Sequence, residues 1–542
     1  MQFRLMQQRL RGFTGMWGLG TALLLSACGG GSDGGAAVVA PAPVSYSISA
    51  TVSGLTAGVS VGLQNNGADT ATRSANGSFS FVTPVASGGS YAVTVSAQPS
   101  GQTCAVSNGT GSGIAADVAN VQITCSFNTY TIGGTVSGLA AGASLTLQNS
   151  GADALARTAD GSFSFATPVA ANGSYAVTVS TQPVGQTCIV TNGTGAGLAA
   201  PVGNVAVVCV NRVRYAYVTN SIGNVVSQYS IGTGGGLTAL TPVTVTAGLF
   251  PYSVTVDPTG RYAYVANVNS NTLSQYSIGA GGALSPLSPA TVATGVGPVA
   301  MAVDPTGHFA YVLNNFDGTV SQYSIGAGGA LAALNPAVAV TGGFPQSVTI
   351  DPTGRFVYVV NAGSDSVSQY SIGSGGALTP LSPAFVVTGG NPISMAVDPT
   401  GHYAYVANYD DDTVSLYSIG SGGVLTPLSP ALVSTGTGPF SVTVDPTGRY
   451  AYVTNNSGDT VSQYSIGAGG ALSALSPATV PTGAAPTSIT FDPTGQYAYV
   501  ANNGDNRVSQ FILGTGGVLT ALSPASVAAG NGPQSVTTTF GP

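Results

Sequence analysis

One period limits what this chain can fold into. From Val210 onward an aromatic-rich strand ending in asparagine recurs, with that residue at Asn220, Asn267, Asn314, Asn361, Asn408, Asn455 and Asn502, and every step is 47 residues with no insertion. Fixed periods of this length mark propellers, solenoids or arrays. The period read from Pro251 predicts strands at 253–256, 261–266, 273–278 and 290–293, separated by an Asp257-Pro258-Thr259-Gly260 turn, an Asn-rich loop and a Gly-rich turn. Four short strands rich in Val, Tyr, Thr and Ile make one propeller blade. The first repeat starts at its second strand, and the missing one turns up at the far end: Ser535-Val536-Thr537-Thr538 stands six periods after Ser253. A C-terminal strand that completes the first blade hides the unpaired edges of both. The expectation is an all-β chain whose residues 211–542 form a seven-bladed β-propeller closed by the C-terminal strand, preceded by two β-sandwich modules.

Those modules come from a second, longer repeat, in which Tyr46 matches Tyr130, Gly77-Ser78-Phe79-Ser80-Phe81 matches Gly161-Ser162-Phe163-Ser164-Phe165, and Cys104 matches Cys188. Alternating strands such as Tyr91-Ala92-Val93-Thr94-Val95, with tight turns at Asn76-Gly77 and Asp160-Gly161, fill each unit, over 45–126 and 127–210. They resemble the immunoglobulin-like or prealbumin-like sandwiches used as stalks on bacterial surface proteins. The spacing from Cys104 to Cys125 equals that from Cys188 to Cys209, so one disulfide per repeat is the simplest pairing. A zinc site is the rival reading, with no histidine nearby and no close cysteine pair to support it.

The fifth cysteine belongs to export. Arg4, Arg9 and Arg11 precede an apolar run from Met16 to Leu25, too short for a stable transmembrane span, and Leu25-Ser26-Ala27-Cys28 resembles the bacterial lipobox. Residues 1–27 are then a lipoprotein signal peptide, Cys28 is the acylated N-terminus, and residues 28–44 are a flexible tether. Gly29 after the cysteine points to the outer membrane, on its periplasmic or surface face. An oxidising compartment agrees with the disulfides.

Composition removes several functions. All eleven basic residues are Arg and all eighteen acidic residues are Asp; Lys and Glu are absent. Loss of Arg4, Arg9 and Arg11 with the signal leaves 8 Arg against 18 Asp, a charge near −10. Such a chain has no basic surface for nucleic acid.

Repeated columns read as structural. The Asp-Pro-Thr-Gly tetrads at Asp257, Asp304, Asp351, Asp398, Asp445 and Asp492 suit type I turns. The next column, Arg261, His308, Arg355, His402, Arg449 and Gln496, holds both histidines, which places them away from the variable face. The asparagine column ends each second strand and caps the loop after it. Variation concentrates on the blade-to-blade connections and the loops between strands two and three. The candidate ligand face is therefore Phe250, Tyr252, Phe344, Gln346, Asn391, Phe440 and Gln534, ringed by Asp and Asn. Asp410, Asp411 and Asp412 are weak candidates for a metal. Aromatic and amide groups around a channel mouth suit carbohydrate, peptide or a hydrated cation.

Tyr217-Val218-Thr219-Asn220 and Tyr452-Val453-Thr454-Asn455 resemble the signature of the Tyr-Val-Thr-Asn repeat proteins, within the lactonase-like seven-bladed propellers. That resemblance covers 211–542 and implies a fold more strongly than an activity, since such folds host enzymes and binding proteins alike. Three functions are open to such a chain. One is a lipid-anchored cell-envelope propeller acting as a binding or interaction scaffold, a monomer held to the membrane through Cys28, with a carbohydrate or protein ligand and no cofactor. Another is a lactone hydrolase resembling 6-phosphogluconolactonase, which needs an activated water and cationic groups for the phosphate. The third is a metal-assisted lactonase resembling the gluconolactonase propellers, whose cation site includes a glutamate this chain lacks; an Asp/Asn calcium site stays open. The residues favour the scaffold.

Overall fold

A computed structural model describes residues 42–542. The expected signal peptide, Cys28 and most of the expected tether lie outside the described residues. The chain divides into two compact units, one ending at Asn128 and one beginning at Thr129. Among the described residues regular structure is all β, apart from two single-turn helices, Val268–Ser270 and Ala362–Ser364.

The first unit pairs Gly77–Ser80, Ile48–Ser53, Val118–Phe127 and Gln102–Ser107 in one sheet, and Asp69–Arg73, Val61–Asn65, Ser90–Ala97 and Thr110–Ser112 in another. Alternation puts Ile48, Ala50, Val52, Val61, Leu63, Val121 and Ile123 into one buried core fed by both sheets. Ile48–Ser53 and Val118–Phe127 run parallel, so that module is not a simple meander. The same order recurs one repeat later at the start of the second unit, from Ile132–Ser137 to Val202–Asn211. Cys104 bonds Cys125 at 2.00 Å and Cys188 bonds Cys209 at 2.02 Å. Each pair sits directly opposite on adjacent antiparallel strands.

The rest of the second unit is seven four-stranded antiparallel sheets. Blade two is Pro251–Val256, Tyr262–Asn267, Thr272–Ile278 and Leu284–Ala293, and blades three to seven repeat it through Leu519–Ala528. Blade one takes Arg214–Asn220, Val225–Ile231 and Leu237–Thr246 from the start of the repeats, and its innermost strand is Pro533–Phe540 from the end of the chain. Second and third strands are buried almost throughout, while outermost strands bury mainly their first residue.

Three buried contacts recur where blades meet. Tyr264 Oη donates to the Gly329 carbonyl of the next blade at 2.7 Å, Gln275 Oε1 accepts the Leu331 N–H at 2.8 Å, and Tyr276 Oη donates to the Thr246 carbonyl of the preceding blade at 2.6 Å. The same three join blade seven to blade one: Tyr499 to Gly235, Gln510 to Leu237 and Tyr229 to Ala528.

The turn tetrads act as read. In blade three, Asp304 Oδ1 accepts the N–H of His308 at 2.8 Å and of Phe309 at 2.6 Å, while Oδ2 takes the Thr306 hydroxyl. The asparagine column braces rather than caps: Asn314 Nδ2 donates to Ser321 Oγ on the third strand at 2.9 Å, and Asn314 Oδ1 accepts Gly295 N–H at 3.1 Å.

Candidate functional site

Each blade-to-blade connection is held in one unusual backbone conformation. Phe250, Gly297, Phe344, Asn391, Gly438, Ala485 and Gly532 all have positive φ, from 49° to 70°. In six of the seven, a side chain from the preceding blade's loop accepts the N–H of that residue. The acceptors are Asn224, Asn271, Asp365, Asp412, Asp459 and Asn506, at 2.7–2.9 Å. Connections and strand-two to strand-three loops therefore share a face and brace one another.

Two residues further on, the innermost strand delivers its first channel residue. Tyr252, Val299, Gln346, Ile393, Phe440, Thr487 and Gln534 surround a hollow of 140 Å³, with Ser253, Ala300, Ser347, Ser394, Ser441, Ser488 and Ser535 in the next row. In blade order the ring reads Gln534, Tyr252, Val299, Gln346, Ile393, Phe440 and Thr487, so its two amides and two aromatics are spread around the mouth. No charged side chain lines it. Burial pushes the Tyr252 phenol above its ordinary pKa, so it stays a neutral donor. Phe440 meets Tyr409 edge to face, with ring centroids 6.3 Å apart. Ser347, Ser394 and Ser488 hydroxyls accept N–H groups from Met395, Val442 and Val536 on neighbouring innermost strands, which leaves their own protons free to donate. Ser253 Oγ is buried with no protein partner.

The structure divides the residues expected at the mouth. Tyr252, Gln346, Phe440 and Gln534 line the channel; Phe250, Phe344 and Asn391 do not. Phe250 packs among the hydrophobic residues around Val268 and Val299. Phe344 is 57% exposed, with its ring over Gly363. Asn391 donates to Asp410 Oδ1 at 3.1 Å. The reason is local: in a regular strand residues two apart face the same side, but the left-handed residue at the connection breaks that alternation.

Asp410, Asp411 and Asp412 do not converge. Asp410 meets the Asn391 amide, Asp411 accepts Gly390 N–H at 2.7 Å, and Asp412 accepts Gly438 N–H at 2.7 Å. Among the described residues no three His, Cys, Asp or Glu side chains are grouped to hold a metal. The histidines lie at the opposite end of the innermost strands, ~20 Å away for a six-residue strand. His308 and His402 each touch the preceding threonine hydroxyl through Nδ1 at 2.8 Å, as Arg261, Arg355 and Arg449 do through Nε at 3.0–3.1 Å.

A second concavity of 820 Å³ lies between the second module and the propeller, lined among others by Ala140, Val184, Arg212, Arg214 and Thr494. Both its cations are engaged internally. Arg212 donates to the Gly541 carbonyl at 3.1 Å and stacks 4.3 Å over the Phe540 ring. Arg214 is buried against Asp492 at 2.6 Å. The channel mouth is therefore the better candidate.

Sequence reasoning missed the serine row, although Ser occupies six of its seven positions. Thr487, Val299 and Ile393 stand in the same column and line the channel with it, although only its aromatic and amide members were chosen as the candidate face.

Comparison with known proteins agrees with this architecture. The family described as lactonase, 7-bladed beta-propeller, matches residues 184–289, 274–437 and 384–538. A candidate 6-phosphogluconolactonase from Bacteroides fragilis superposes with a TM-score of 0.53 at 19% identity, over 60% of this chain and 98% of that one. The periplasmic gluconolactonase of Pseudomonas aeruginosa gives 0.53 at 20% identity, over 61% and 100%. A Lactobacillus plantarum protein gives 0.54 at 21%, over 60% and 99%. No curated protein matches the chain significantly.

Proposed function

This chain belongs to the lactonase, seven-bladed β-propeller family, and from that premise we propose that it is a lipid-anchored envelope protein whose channel mouth binds a ligand without turning it over. The observation that carries this is the lining itself: two aromatic rings, two amides and a row of hydroxyls, with no carboxylate, imidazole or cation among them. Lactone hydrolysis requires a group that activates water and a donor set for the developing oxyanion. Hydroxyls and amides supply the donors. Nothing in the lining supplies the base.

The rest of the reading concerns placement. Residues 1–27 are removed, Cys28 carries the acyl chains in the outer membrane, and two immunoglobulin-like modules, 45–126 and 127–210, lie in sequence between that anchor and the propeller (211–542). One disulfide per module and the signal-like N-terminus support export. Cys28→Ala should move the protein from the membrane to the soluble fraction, and a variant still labelled by fatty acid in cells would remove the lipoprotein reading.

Lactone hydrolysis is the second reading, and family membership favours it. Purified protein assayed on glucono-1,5-lactone and 6-phosphogluconolactone, with and without calcium, should give no turnover above buffer. Turnover that Gln346→Ala or Tyr252→Phe reduces at unchanged KM would install the enzyme in place of the scaffold.

A further inference from the structure

The seven outermost strands share one length and one pattern of buried and exposed positions, and the column at position eight varies in an informative way. Each has ten residues, and none carries a charge. Position eight reads Thr244, Thr291, Val338, Phe385, Leu432, Thr479 and Ser526; position ten reads Thr246, Ala293, Val340, Val387, Ser434, Pro481 and Ala528. Large apolar residues occupy position eight only on the contiguous blades three, four and five. Position eight always pairs with a third-strand serine, as in Ser274↔Thr291 and Ser368↔Phe385. The sheet thus accepts threonine there and does not require phenylalanine. Val338, Val340, Phe385, Val387 and Leu432 are 50%, 77%, 61%, 68% and 48% exposed. Val243 on blade one is the one other large apolar residue so exposed on an outer strand, and it stands alone.

A cleft of 440 Å³ lies between the rims of blades three and four, lined by Val340, Ser366, Ser368, Tyr370, Pro380 and Phe385 among others. A projecting ring and a hollow therefore stand on one face.

We propose that this face binds a second copy of the chain about a two-fold axis, with Phe385 of each copy entering the cleft of the other. A two-fold contact needs a self-complementary patch, which the adjoining ring and cleft provide. Charge points the same way: a chain whose 8 Arg against 18 Asp leave it near −10 repels its own copies, and these outer strands are surface where two copies meet without opposing carboxylates. The area suffices. Ten-residue strands are ~33 Å long and three neighbouring sheets span at least ~20 Å, giving ~1,300 Å² buried in total, within the ~1,200–2,000 Å² of stable interfaces. Pro380 and Pro383 lack N–H groups, so the contact is made by side chains and not by continuing the sheet across both copies. The sequence alone leads to the expectation of a monomer, from which this proposal departs.

The test is the mass of the protein in solution by sedimentation velocity across micromolar concentrations, with Cys28→Ala so that no acyl group contributes. Wild type should be a dimer. Val340→Ser, Phe385→Ser and Val387→Ser together should weaken it by about 100-fold, with Tm unchanged, since other blades carry Thr or Ser at these positions. Phe385→Thr alone, the residue of blades one, two and six, asks the same with one exposed change, and Val243→Ser should leave the dimer intact. A wild type that stays monomeric overturns the proposal, as does a dimer indifferent to Phe385→Thr. A monomer that floats with phosphatidylcholine vesicles only while Phe385 is present would assign the face to a membrane and overturn it too.

Discussion

Tyr217, Tyr264, Tyr311, Tyr358, Tyr405, Tyr452 and Tyr499 show what one repeated residue does. Each is fully buried and donates its hydroxyl to a glycine carbonyl of the next blade at 2.6–2.9 Å. Burial pushes their phenols up from an ordinary value of 10.0, and that of Tyr417, in the second tyrosine column, to about 12. A folded chain keeps protons that the unfolded chain loses near pH 10, so this stability is complete below pH 10 and is lost as pH rises through the raised values. The urea midpoint should hold from neutral pH to about pH 9 and fall beyond about pH 10; a midpoint flat into strong alkali would mean these phenols are not buried. At this scale much was legible. Strict repetition identified the Asp turns as structural, because six equivalent places cannot all be a single site. Backbone sign was not. Phe250 and Phe344 hold φ of 55° and 49°, where a non-glycine residue costs about 1–2 kcal/mol. Gly297, Gly438 and Gly532 in the same column were the available signal, but the aromatic members were read for chemistry.

The blade joint is the element that makes one sheet need its neighbour. Gln228, Gln275, Gln322, Gln369, Gln463 and Gln510 are fully buried, each accepting a leucine N–H from the next blade and donating to a proline carbonyl of its own outer strand. Blade five has Leu416 instead. Gln369→Leu should cost about 1–3 kcal/mol, because it strands the Leu425 N–H and the Pro383 carbonyl together; a loss under about 0.5 kcal/mol would show that the joint rests on apolar packing alone. Strand order and blade content were readable from Val, Tyr and Gly spacing. The glutamine link was not, since a buried amide in a strand looks like a surface residue until the neighbouring blade is in place. The outer-strand pattern was fully present in sequence and went unread for a simpler reason: Thr291, Val338 and Phe385 all suit a strand, so only exposure separates them.

At the scale of the molecule, chain order and spatial order part company in blade one. Arg214 stands in the Arg261 column, but no Asp-Pro-Thr-Gly turn precedes it, and it reaches Asp492 of blade seven, the one ion pair among the described residues. Pro533–Phe540 supplies the innermost strand, and phase alone made that visible, because a repeat that starts at its second strand needs the first from elsewhere. Deleting 534–542 should expose the Arg214–Asn220 edge and the faces of two blades, with aggregation or a fall in Tm above about 10 °C; a truncated protein melting like the full one would mean the strand is dispensable. The grip of Arg212, just past the second module, on Phe540 and Gly541 ties the chain entering the propeller to this joint, which no motif announced. The fold delivers a channel mouth of aromatics and amides, and the most direct measurement is a calorimetric titration of neutral oligosaccharides and peptides into three proteins. Wild type should bind, Tyr252→Ala with Phe440→Ala should lose at least about tenfold in affinity, or ~1.4 kcal/mol, with the protein still folded by circular dichroism, and His308→Gln with His402→Gln should bind like wild type. Loss of binding in the histidine pair with the aromatic pair unaffected would contradict the account, moving the site to the other end of the propeller.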